Sequence, residues 1–343
     1  MSEQLSLFAD APSRTRLDSP REVRPADFPG QLTETARNLP EGLFIGTSSW
    51  SFPGWHGLVY AENYEPAELA HGGLAAYARF PLFRSVGIDR TFYAPIPREE
   101  YERYAAQVPT GFRFVVKAPV QCVSPKLRAD PGNRALDNPH FLDPAWAVRH
   151  FIEPAMQGLG RNTGPLIFQF SPLPRALARE PAEFAWRVGT FLRALPKGPV
   201  YAVELRDEAL LTDEYLHVVA DAGARHCVGL HPRQPSAAEQ ARLLRKLSPG
   251  PLVVRWNLHR DYAHEEARVR YFPFSQLRDE DLPTRVTLAR LCLEAAAAHQ
   301  PAFVIVNNKA EGSAPLTILK LAELVAAEAA RHHGRLWVGD HDV

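Results

Sequence analysis

The sequence predicts an α/β protein, a (β/α)8 barrel of the TIM type preceded by a disordered N-terminal tail. From residue 43 onward, eight short and almost continuously apolar runs alternate with longer segments of helical period. Such runs are typical of parallel strands buried on both faces, and eight alternations in about 300 residues fit a closed barrel. An open doubly wound sheet is the alternative, but its glycine-rich turn is missing after the first strand.

The eight strands are predicted where apolar runs stand between turn residues. In chain order they are Leu43–Thr47, Phe83–Ile88, Phe112–Lys117, Pro165–Phe170, Val200–Leu205, His226–Leu230, Leu252–Trp256 and Ala302–Val306. Two connections are long, Pro119–Leu142 after the third strand and Asn257–Leu282 after the seventh. In a barrel such loops lie on the face that carries the active site, so both are candidate lids.

The helices between the strands are predicted from their start signals. Pro97 precedes an acidic first turn, Asp143 stands before a proline as an N-cap, and Thr212 also precedes two acids. Ser236 and Glu239 form a capping box, in which the two side chains satisfy backbone N–H groups at the helix start. Two long amphipathic helices are predicted near the C-terminus, Thr284–Ala298 and Pro315–Ala330.

Composition and cysteine usage narrow the class of protein. The 343 residues include 39 basic and 39 acidic side chains, so the net charge is zero. We therefore do not expect the protein to bind DNA through an overall positive charge. Cys122, Cys227 and Cys292 form no C-x-x-C pair, which suits a reducing cytoplasm without disulfides or a zinc ribbon. No signal peptide and no apolar run of about 18 residues occurs, so we expect a cytoplasmic protein with no membrane partner.

The first 40 residues differ in composition from the barrel, residues 41–343. They are rich in Ser, Pro, Arg, Asp and Ala and show no helical or strand period, which predicts a disordered tail. The tail nevertheless carries large apolar side chains in Gln4-Leu5-Ser6-Leu7-Phe8. An apolar peptide in a polar tail is typical of a segment that docks into another protein's pocket. The alternative is that Leu5, Leu7 and Phe8 fold back against the base of the barrel.

These five residues resemble the peptide Q-L-(S/D)-L-F, by which bacterial replication and repair proteins dock on the DNA polymerase sliding clamp. The match holds at Gln4, Leu5, Ser6, Leu7 and Phe8. The resemblance implies that the sliding clamp is a partner.

Several motifs also follow one another along the barrel. Residues 46–55 read G-T-S-S-W-S-F-P-G-W, residues 112–119 read F-R-F-V-V-K-A-P, residues 202–206 read A-V-E-L-R, and 307–308 read N-N. Together with Thr91-Phe92-Tyr93 and Phe168-Gln169-Phe170, they resemble the motifs of the YecE-like family, domain of unknown function 72. The resemblance covers residues 43 to about 325 and implies a TIM-type barrel without an established reaction.

The chain departs from that family pattern at three strand ends. Gly87 stands where the family usually has Glu, Asp207-Glu208 replaces a usual His-Pro, and Asn257 stands where His is usual. An acid and two histidines are thus absent from positions that could serve as base or ligand.

Strand parity predicts which polar side chains point into the barrel. On the fifth strand Glu204 and Arg206 share one face, and the apolar neighbours between them take the face toward the helices. Arg255 shares a face with Asn257 on the seventh strand, and Lys117 ends the third strand on the inward face. Gln169 ends the fourth strand, and Asn307 and Asn308 follow the eighth.

The carboxyl-terminal opening of the predicted barrel, its mouth, carries more basic than acidic side chains. Lys117, Arg206 and Arg255 stand against Glu204, with Asp89 and Arg90 as further candidates. An excess of two positive charges favours an anion, and Arg is a natural bidentate partner of phosphate or carboxylate. The alternative is a structural network in which the arginines hold Glu204.

As a catalytic site, the mouth would use Glu204 as general acid or base, with Lys117 and Arg255 as electrostatic clamps. The residues expected to bind substrate are Arg206, Asn307, Asn308, Gln169, Ser49, Trp50 and Tyr93. Trp50 and Trp55 are suited to stack on a sugar or base, and loop packing is the alternative.

No metal or cofactor is predicted. Asp89, Glu204, His231 and His259 lie near strand ends, but no H-x-H or H-E-x-x-H spacing occurs. No P-loop, G-x-S-x-G or dinucleotide fingerprint is present.

Three functions follow from these observations. The first is an enzyme or ligand-binding barrel that acts on an anionic, phosphate-bearing substrate, nucleic-acid-derived among the candidates, and that the tail recruits to the clamp. The second is a non-catalytic accessory protein of the clamp. The third is a metabolic sugar or sugar-phosphate enzyme with a coincidental tail.

Overall fold

The structure, a computed structural model, describes residues 21–127 and 136–338. Eight parallel strands form a closed barrel in the order β1-β8-β7-β6-β5-β4-β3-β2. The strands are β1 Leu43–Thr47, β2 Ser85–Ile88, β3 Arg113–Lys117, β4 Thr163–Phe170, β5 Tyr201–Leu205, β6 Arg225–Leu230, β7 Leu252–Trp256 and β8 Ala302–Val306. The predicted fold class is confirmed, and each predicted strand is present within two residues of its expected ends.

Helices cover the outside of the barrel. They are α1 Gly30–Arg37, α2 Pro66–Tyr77, α3 Arg98–Ala105, α4 Val120–Val123, α5 Pro144–Ala147, α6 Glu153–Leu159, α7 Arg175–Ala178, α8 Pro181–Arg193, α9 Asp213–Asp221, α10 Ala237–Leu244, α11 His264–Tyr271, α12 Leu282–Ala297 and α13 Ala314–Val338. The predicted start signals at Asp143, Thr212 and Ser236 are confirmed, because each side chain accepts a backbone N–H of the first turn. No helix within residues 21–127 and 136–338 is both long and apolar enough to cross a membrane.

The strands alternate between two apolar layers. Side chains such as Val203, Val228 and Val254 belong to the large core between the barrel and its helices. Their neighbours Ala202, Cys227 and Val253 belong to a separate small core inside the barrel. The inward positions nearer the carboxyl ends of the strands carry the polar residues, so the interior is apolar below and charged above.

The segment before β1 is more structured than the sequence suggested. We predicted no helix or strand before residue 41, but α1 lies there, with Leu32 and Ala36 buried. The physical reason is a tertiary contact, because the guanidinium of Arg84 donates to the carbonyl oxygens of Ala36 (2.9 Å) and Pro40 (3.3 Å). These bonds satisfy carbonyls at the end of a short helix that propensity alone would not maintain. The motif Gln4–Phe8 lies outside the described residues.

The two long loops are partly structured. The loop after β3 contains α4 and a two-stranded ribbon, Lys126–Leu127 with Leu136–Asp137. The loop after β7 contains α11 and is tied to the loop after β8, because the carbonyl of Glu311 accepts the N–H of Arg278 at 2.8 Å. The Glu311 carboxylate also accepts the N–H of Asp281 (2.5 Å) and Nε of Arg285 (2.9 Å). This second loop is therefore held in place by buried bonds.

Candidate functional site

The polar layer at the carboxyl end of the barrel is arranged as strand parity predicted. Glu204 of β5 points into the interior and meets Arg255 of β7, which confirms that both are on the inward face. Gln169 lies beside Glu204 in the register of β4 and β5, and its Oε1 accepts a hydrogen bond from Arg206 at 3.4 Å. We call this layer the mouth: Asp89, Lys117, Gln169, Glu204, Arg206, Arg255, Asn257, Asn307 and Lys309.

Glu204 is the fully buried centre of the mouth, and three side chains contact its carboxylate. Its Oε2 accepts a hydrogen bond from Nη1 of Arg255 at 2.7 Å, and its Oε1 accepts one from Nδ2 of Asn257 at 3.0 Å. The same Oε1 forms an ion pair with Nη2 of Arg206 at 2.7 Å. Burial raises the pKa of this carboxyl, but the charges of Arg206 and Arg255 outweigh burial and bring the pKa below its ordinary value. The group is therefore an ionised carboxylate at neutral pH, and its contacts favour holding the arginines over delivering a proton.

Arg255 joins the two acids of the mouth. Its Nη2 lies 2.6 Å from both carboxylate oxygens of Asp89, while its Nη1 donates to Glu204. Burial lowers the pKa of this guanidinium, but Asp89 and Glu204 together raise it, so the charge is permanent. Because a planar guanidinium can serve two carboxylates at once, Arg suits this position better than Lys.

Arg206 has an unused donor. Its Nη2 donates to Gln169 and pairs with Glu204, but its Nε is buried and has no hydrogen-bond partner within the described part of the chain. The side chain is 13% exposed, at the boundary between the buried network and solvent. A buried donor without an acceptor costs about 1–3 kcal/mol, so this atom is suited to an acceptor that arrives with a ligand.

Lys117 ends β3 inside the mouth. Its Nζ lies 3.7 Å from the centre of the Phe92 ring, a cation–π contact. Burial lowers the pKa of its amine to about 8, with Asp89 opposing and Arg255 adding to the effect. Within the described residues it makes no ion pair, unlike Arg206 and Arg255.

Lys309 is a mouth residue that the sequence reasoning missed. Its amine is largely buried, which lowers its pKa, and the charge of Asp89 opposes that effect. The signal available was its position directly after Asn307-Asn308 at the end of β8. Asn307 positions this turn, because its Oδ1 accepts the N–H of Lys309 at 3.0 Å and its Nδ2 donates to the hydroxyl of Ser48 at 2.8 Å.

The charge balance of the mouth is positive, although its members differ from those expected. Four bases, Lys117, Arg206, Arg255 and Lys309, stand against Asp89 and Glu204, an excess of two. Arg90 is not one of them, because it pairs with Glu100 of α3. His231 adds no charge near neutral pH, since burial and then the charge of Arg206 lower its pKa to about 4.

Other residues expected to bind substrate have structural contacts. Asn308 is buried, and its Oδ1 accepts Nε1 of Trp55 at 3.1 Å and the N–H of Ala314 at 2.9 Å. Trp50 is buried, with its Nε1 donating to the carbonyl of Leu69 at 3.1 Å. These contacts tie the loop after β1 to α13 and α2. Both tryptophans therefore pack the loop, which was the alternative to stacking on a sugar or base.

Two expected residues remain near the surface. Ser49 is half-buried, its carbonyl accepts the hydroxyl of Thr47 at 2.6 Å, and its own hydroxyl lies 3.3 Å from that of Ser51. Tyr93 is 75% exposed and follows Phe92, so it stands on the rim beside Lys117. Of the two, Tyr93 is better placed to touch a bound ligand.

The candidate metal ligands do not converge. Among the described residues, no group of three or more His, Cys, Asp and Glu side chains is placed to share an ion. His259 lies next to Asp261 and Tyr262, while Asp89 and Glu204 face Arg255.

A cavity of about 240 Å³ lies at the opposite end of the barrel from the mouth, near α10 and α12. The guanidinium of Arg225 in its wall donates to the carbonyls of Ser248 and Pro251. The Arg225 guanidinium therefore already has acceptors in the backbone, whereas the Nε of Arg206 in the mouth has none within the described residues.

A parallel eight-stranded barrel with a network of charges at the carboxyl ends of its strands defines a TIM-type barrel protein with a central polar site. The chain belongs to the family described as "Protein of unknown function DUF72", whose model matches residues 44–336. This confirms the family that the barrel motifs indicated.

Solved structures of the family share the fold. A DUF72 family protein from Enterococcus faecalis matches with a TM-score of 0.55 and 16% identity, over 82% of this chain and 95% of its own. One from Thermotoga maritima matches with a TM-score of 0.54 and 19% identity, over 83% of this chain and 99% of its own. No match is found among curated proteins. At these identities the likeness establishes the fold alone.

Proposed function

We propose that the mouth of this DUF72 barrel binds an anionic, phosphate-bearing substrate, as an enzyme or as a ligand-binding protein. The observation that carries this proposal is the excess of two positive charges around a buried donor, Nε of Arg206, that has no partner among the described residues. A phosphate monoester carries about −1.5 to −2 charges at pH 7 and offers several acceptor oxygens. It therefore matches both the charge and the free donor.

Each mouth residue has a distinct part in this proposal. Arg206 donates its free Nε to the phosphate, and Lys117 and Lys309 supply the unneutralised charge. Glu204 holds Arg206 and Arg255 through bonds of 2.7 Å, so the guanidinium groups are already oriented when the ligand arrives. Asn307 and Tyr93 would contact the part of the substrate nearer to solvent.

Calorimetric titration with inorganic phosphate and with sulfate tests the anion site. We expect wild type to bind, and Arg206→Gln to bind at least tenfold more weakly, about 1.4 kcal/mol. Arg90→Gln is the matched control, because Arg90 lies on the same face but pairs with Glu100. Equal affinity in all three proteins, or no binding by wild type, would contradict the proposal.

We further propose that Gln4–Phe8 recruits the barrel to the DNA polymerase sliding clamp. Support comes from the five-residue resemblance and from the position of residues 24–26. Arg24 and Ala26 bond to the loop after β1, through N–H groups that donate to the Tyr64 hydroxyl and the Val59 carbonyl, both at 3.0 Å. That loop is on the mouth face, and the chain from Phe8 to Arg21 spans at most about 45 Å. A docked tail would thus keep the mouth near the clamp and the DNA within it.

Binding of the full-length protein to purified clamp tests recruitment. Wild type should bind in the micromolar range, about 8 kcal/mol, and the double variant Leu7→Ala/Phe8→Ala should lose most of that affinity. Leu17→Ala, an apolar change in the tail outside the motif, is the control. Equal binding by the double variant, or none by wild type, would remove the clamp as a partner. If the protein binds anions but not the clamp, the metabolic sugar-phosphate enzyme is favoured instead. If it binds the clamp but not anions, the non-catalytic accessory protein is favoured.

A further inference from the structure

Lys117 differs from the other cations of the mouth in what surrounds its charge. Arg206 and Arg255 form ion pairs with carboxylates at 2.6–2.7 Å, whereas the ammonium of Lys117 lies over the face of the Phe92 ring. A ring face favours the ammonium by about 0.5–2 kcal/mol, whereas a carboxylate at contact distance shifts a pKa by about 1–3 units toward the charged form. The Phe92 ring therefore opposes loss of the Lys117 proton less than a paired carboxylate would.

The backbone fixes where that amine stands. The hydroxyl of Thr91 donates to the carbonyl of Lys117 at 2.5 Å, and the next N–H, that of Ala118, donates to the carbonyl of Ile167 at 2.8 Å. These bonds fix the backbone of Lys117 at the end of β3, and its side chain points into the mouth that Arg206 borders from β5. A lysine at the carboxyl end of a barrel strand, beside an anion site, is placed to meet the uncharged end of a bound phosphate ester.

Resting on the proposed anion site, we propose that Lys117 is a nucleophile that forms an imine with the carbonyl group of a phosphate-bearing aldehyde or ketone. The amine lone pair forms the C–N bond while the carbonyl electrons move to oxygen. The proton that nitrogen gives up passes to that oxygen. The oxygen then leaves with a second proton as water while C=N forms. One amine and one carbonyl give one imine and one water, so the step needs neither oxidant nor metal.

The chemical state of Lys117 supports this role. Burial and the charge of Arg255 lower its pKa to about 8, against the opposing charges of Asp89 and Glu204. At pH 7.5 about a quarter of such an amine is unprotonated, compared with about 0.1% of an ordinary lysine of pKa about 10.4. Only the unprotonated amine attacks a carbonyl, so the advantage over a surface lysine is on the order of 200-fold.

The substrate class follows from the two halves of the site. The phosphate would sit at Nε of Arg206 and the carbonyl carbon at Nζ of Lys117. Sugar phosphates in their open-chain form have this chemistry, and so does the sugar at an abasic position in nucleic acid. Both present a carbonyl a few atoms from a phosphate.

Reductive trapping of full-length wild type tests the inference directly. The protein is incubated with glyceraldehyde 3-phosphate and cyanoborohydride at pH 7.5, and the modified lysines are mapped by peptide mass spectrometry. We expect Lys117 to be modified at least tenfold more than exposed Lys126, Lys197, Lys246 or Lys320. Excess sulfate should suppress modification of Lys117 alone. Modification spread evenly over the lysines overturns the proposal, because Lys117 would then react no better than a surface lysine. The measurement uses wild type, so it does not depend on a variant that fails to fold.

Two arms separate the possible outcomes. Glyceraldehyde, which lacks the phosphate, should lose the preference for Lys117, and an oligonucleotide with an abasic site should trap only if nucleic acid is a source of the carbonyl. Lys117→Arg should abolish the trapped species, whereas Lys126→Arg, a change in the loop after the same strand, should retain it. If wild type binds phosphate calorimetrically but Lys117 is not enriched, the imine fails and the anion site stands. If phosphate does not bind, both fail.

Discussion

Glu204 and Arg255 meet at 2.7 Å across the strand that separates them, because that strand has a glycine between the two side chains. Gly229 of β6 pairs in register with Arg255, and a Cβ atom at this position would lie 3.1 Å from Cγ of Glu204. A side chain at this position of β6 would therefore crowd the central ion pair of the mouth.

Gly229→Ala should loosen the Glu204 network. The added methyl would push against a carboxylate that Arg206, Arg255 and Asn257 hold in place, so we expect a loss of about 1–3 kcal/mol in the free energy of unfolding. Urea unfolding measures it. Gly111→Ala is the control, since a Cβ there meets nothing within 4 Å, and its stability should change by less than about 1 kcal/mol. Equal stabilities for both variants would show that Gly229 is not needed for space.

Glu204→Gln should lower the free energy of unfolding and make it depend less on pH in the acidic range. The variant leaves Arg206 and Arg255 buried without their shared carboxylate, a loss of about 3–5 kcal/mol at pH 7. The Glu204 pKa is lower in the folded chain than in the unfolded chain. Its contribution is therefore complete well above about pH 4.3 and is lost as the pH falls through the folded value.

Urea unfolding of wild type and Glu204→Gln from pH 3.5 to pH 7 checks this prediction. The gap between the two proteins should be largest at pH 7 and shrink toward pH 3.5. Glu294→Gln, which removes an exposed pair with Arg245, should cost less than about 1 kcal/mol at any pH. A gap that does not depend on pH would refute the ionised state of Glu204.

The affinity of the mouth for sulfate should fall as the pH rises through about 8. Sulfate keeps its charge over this range, while Lys117, whose pKa is about 8 and which faces Asp89, Glu204, Arg206 and Arg255, becomes neutral. We expect a three- to tenfold weaker sulfate affinity at pH 9.5 than at pH 7, about 1 kcal/mol. In Lys117→Arg the decrease should vanish, because arginine stays charged. The same decrease in both proteins would assign it to another group.

Glu311→Gln should free the loop after β7. Glu311 accepts the N–H of Asp281 and Nε of Arg285, and the amide cannot replace the charge opposite the buried guanidinium. We expect a loss of about 1.5–3 kcal/mol and faster hydrogen exchange within residues 257–282. Glu280→Gln removes the other, more exposed acid beside Arg285 and should have little effect on that exchange. Unchanged exchange in Glu311→Gln would show that other contacts hold the loop.

The barrel strands could be predicted because local chemistry and tertiary structure agree there. Buried parallel strands are apolar on both faces, and the polar exceptions Glu204, Arg206 and Arg255 all lie at inward positions near strand ends. The alternation of side chains along each strand therefore predicts that these charges share one site.

The residues that sequence reasoning misplaced depend on contacts from distant parts of the chain. Helix α1 is completed by Arg84, more than 40 positions away, so its own composition did not reveal it. Lys309 lies past the end of β8, where strand parity no longer applies. Asn308 and Trp50 were expected in the mouth because they lie just after the ends of β8 and β1, but their hydrogen bonds go to α13 and to the carbonyl of Leu69. A position just after a strand end does not show whether the side chain packs or binds.

An apolar layer closes the interior of the barrel below the mouth. The small interior core, with Phe44 and Phe303 stacked at 4.9 Å and Arg113 over Phe44, fills the lower half of the barrel. If the mouth binds an anion as proposed, the ligand would enter and leave at the same end of the barrel. A product that kept its phosphate would then compete with the next incoming molecule, and its release would limit turnover.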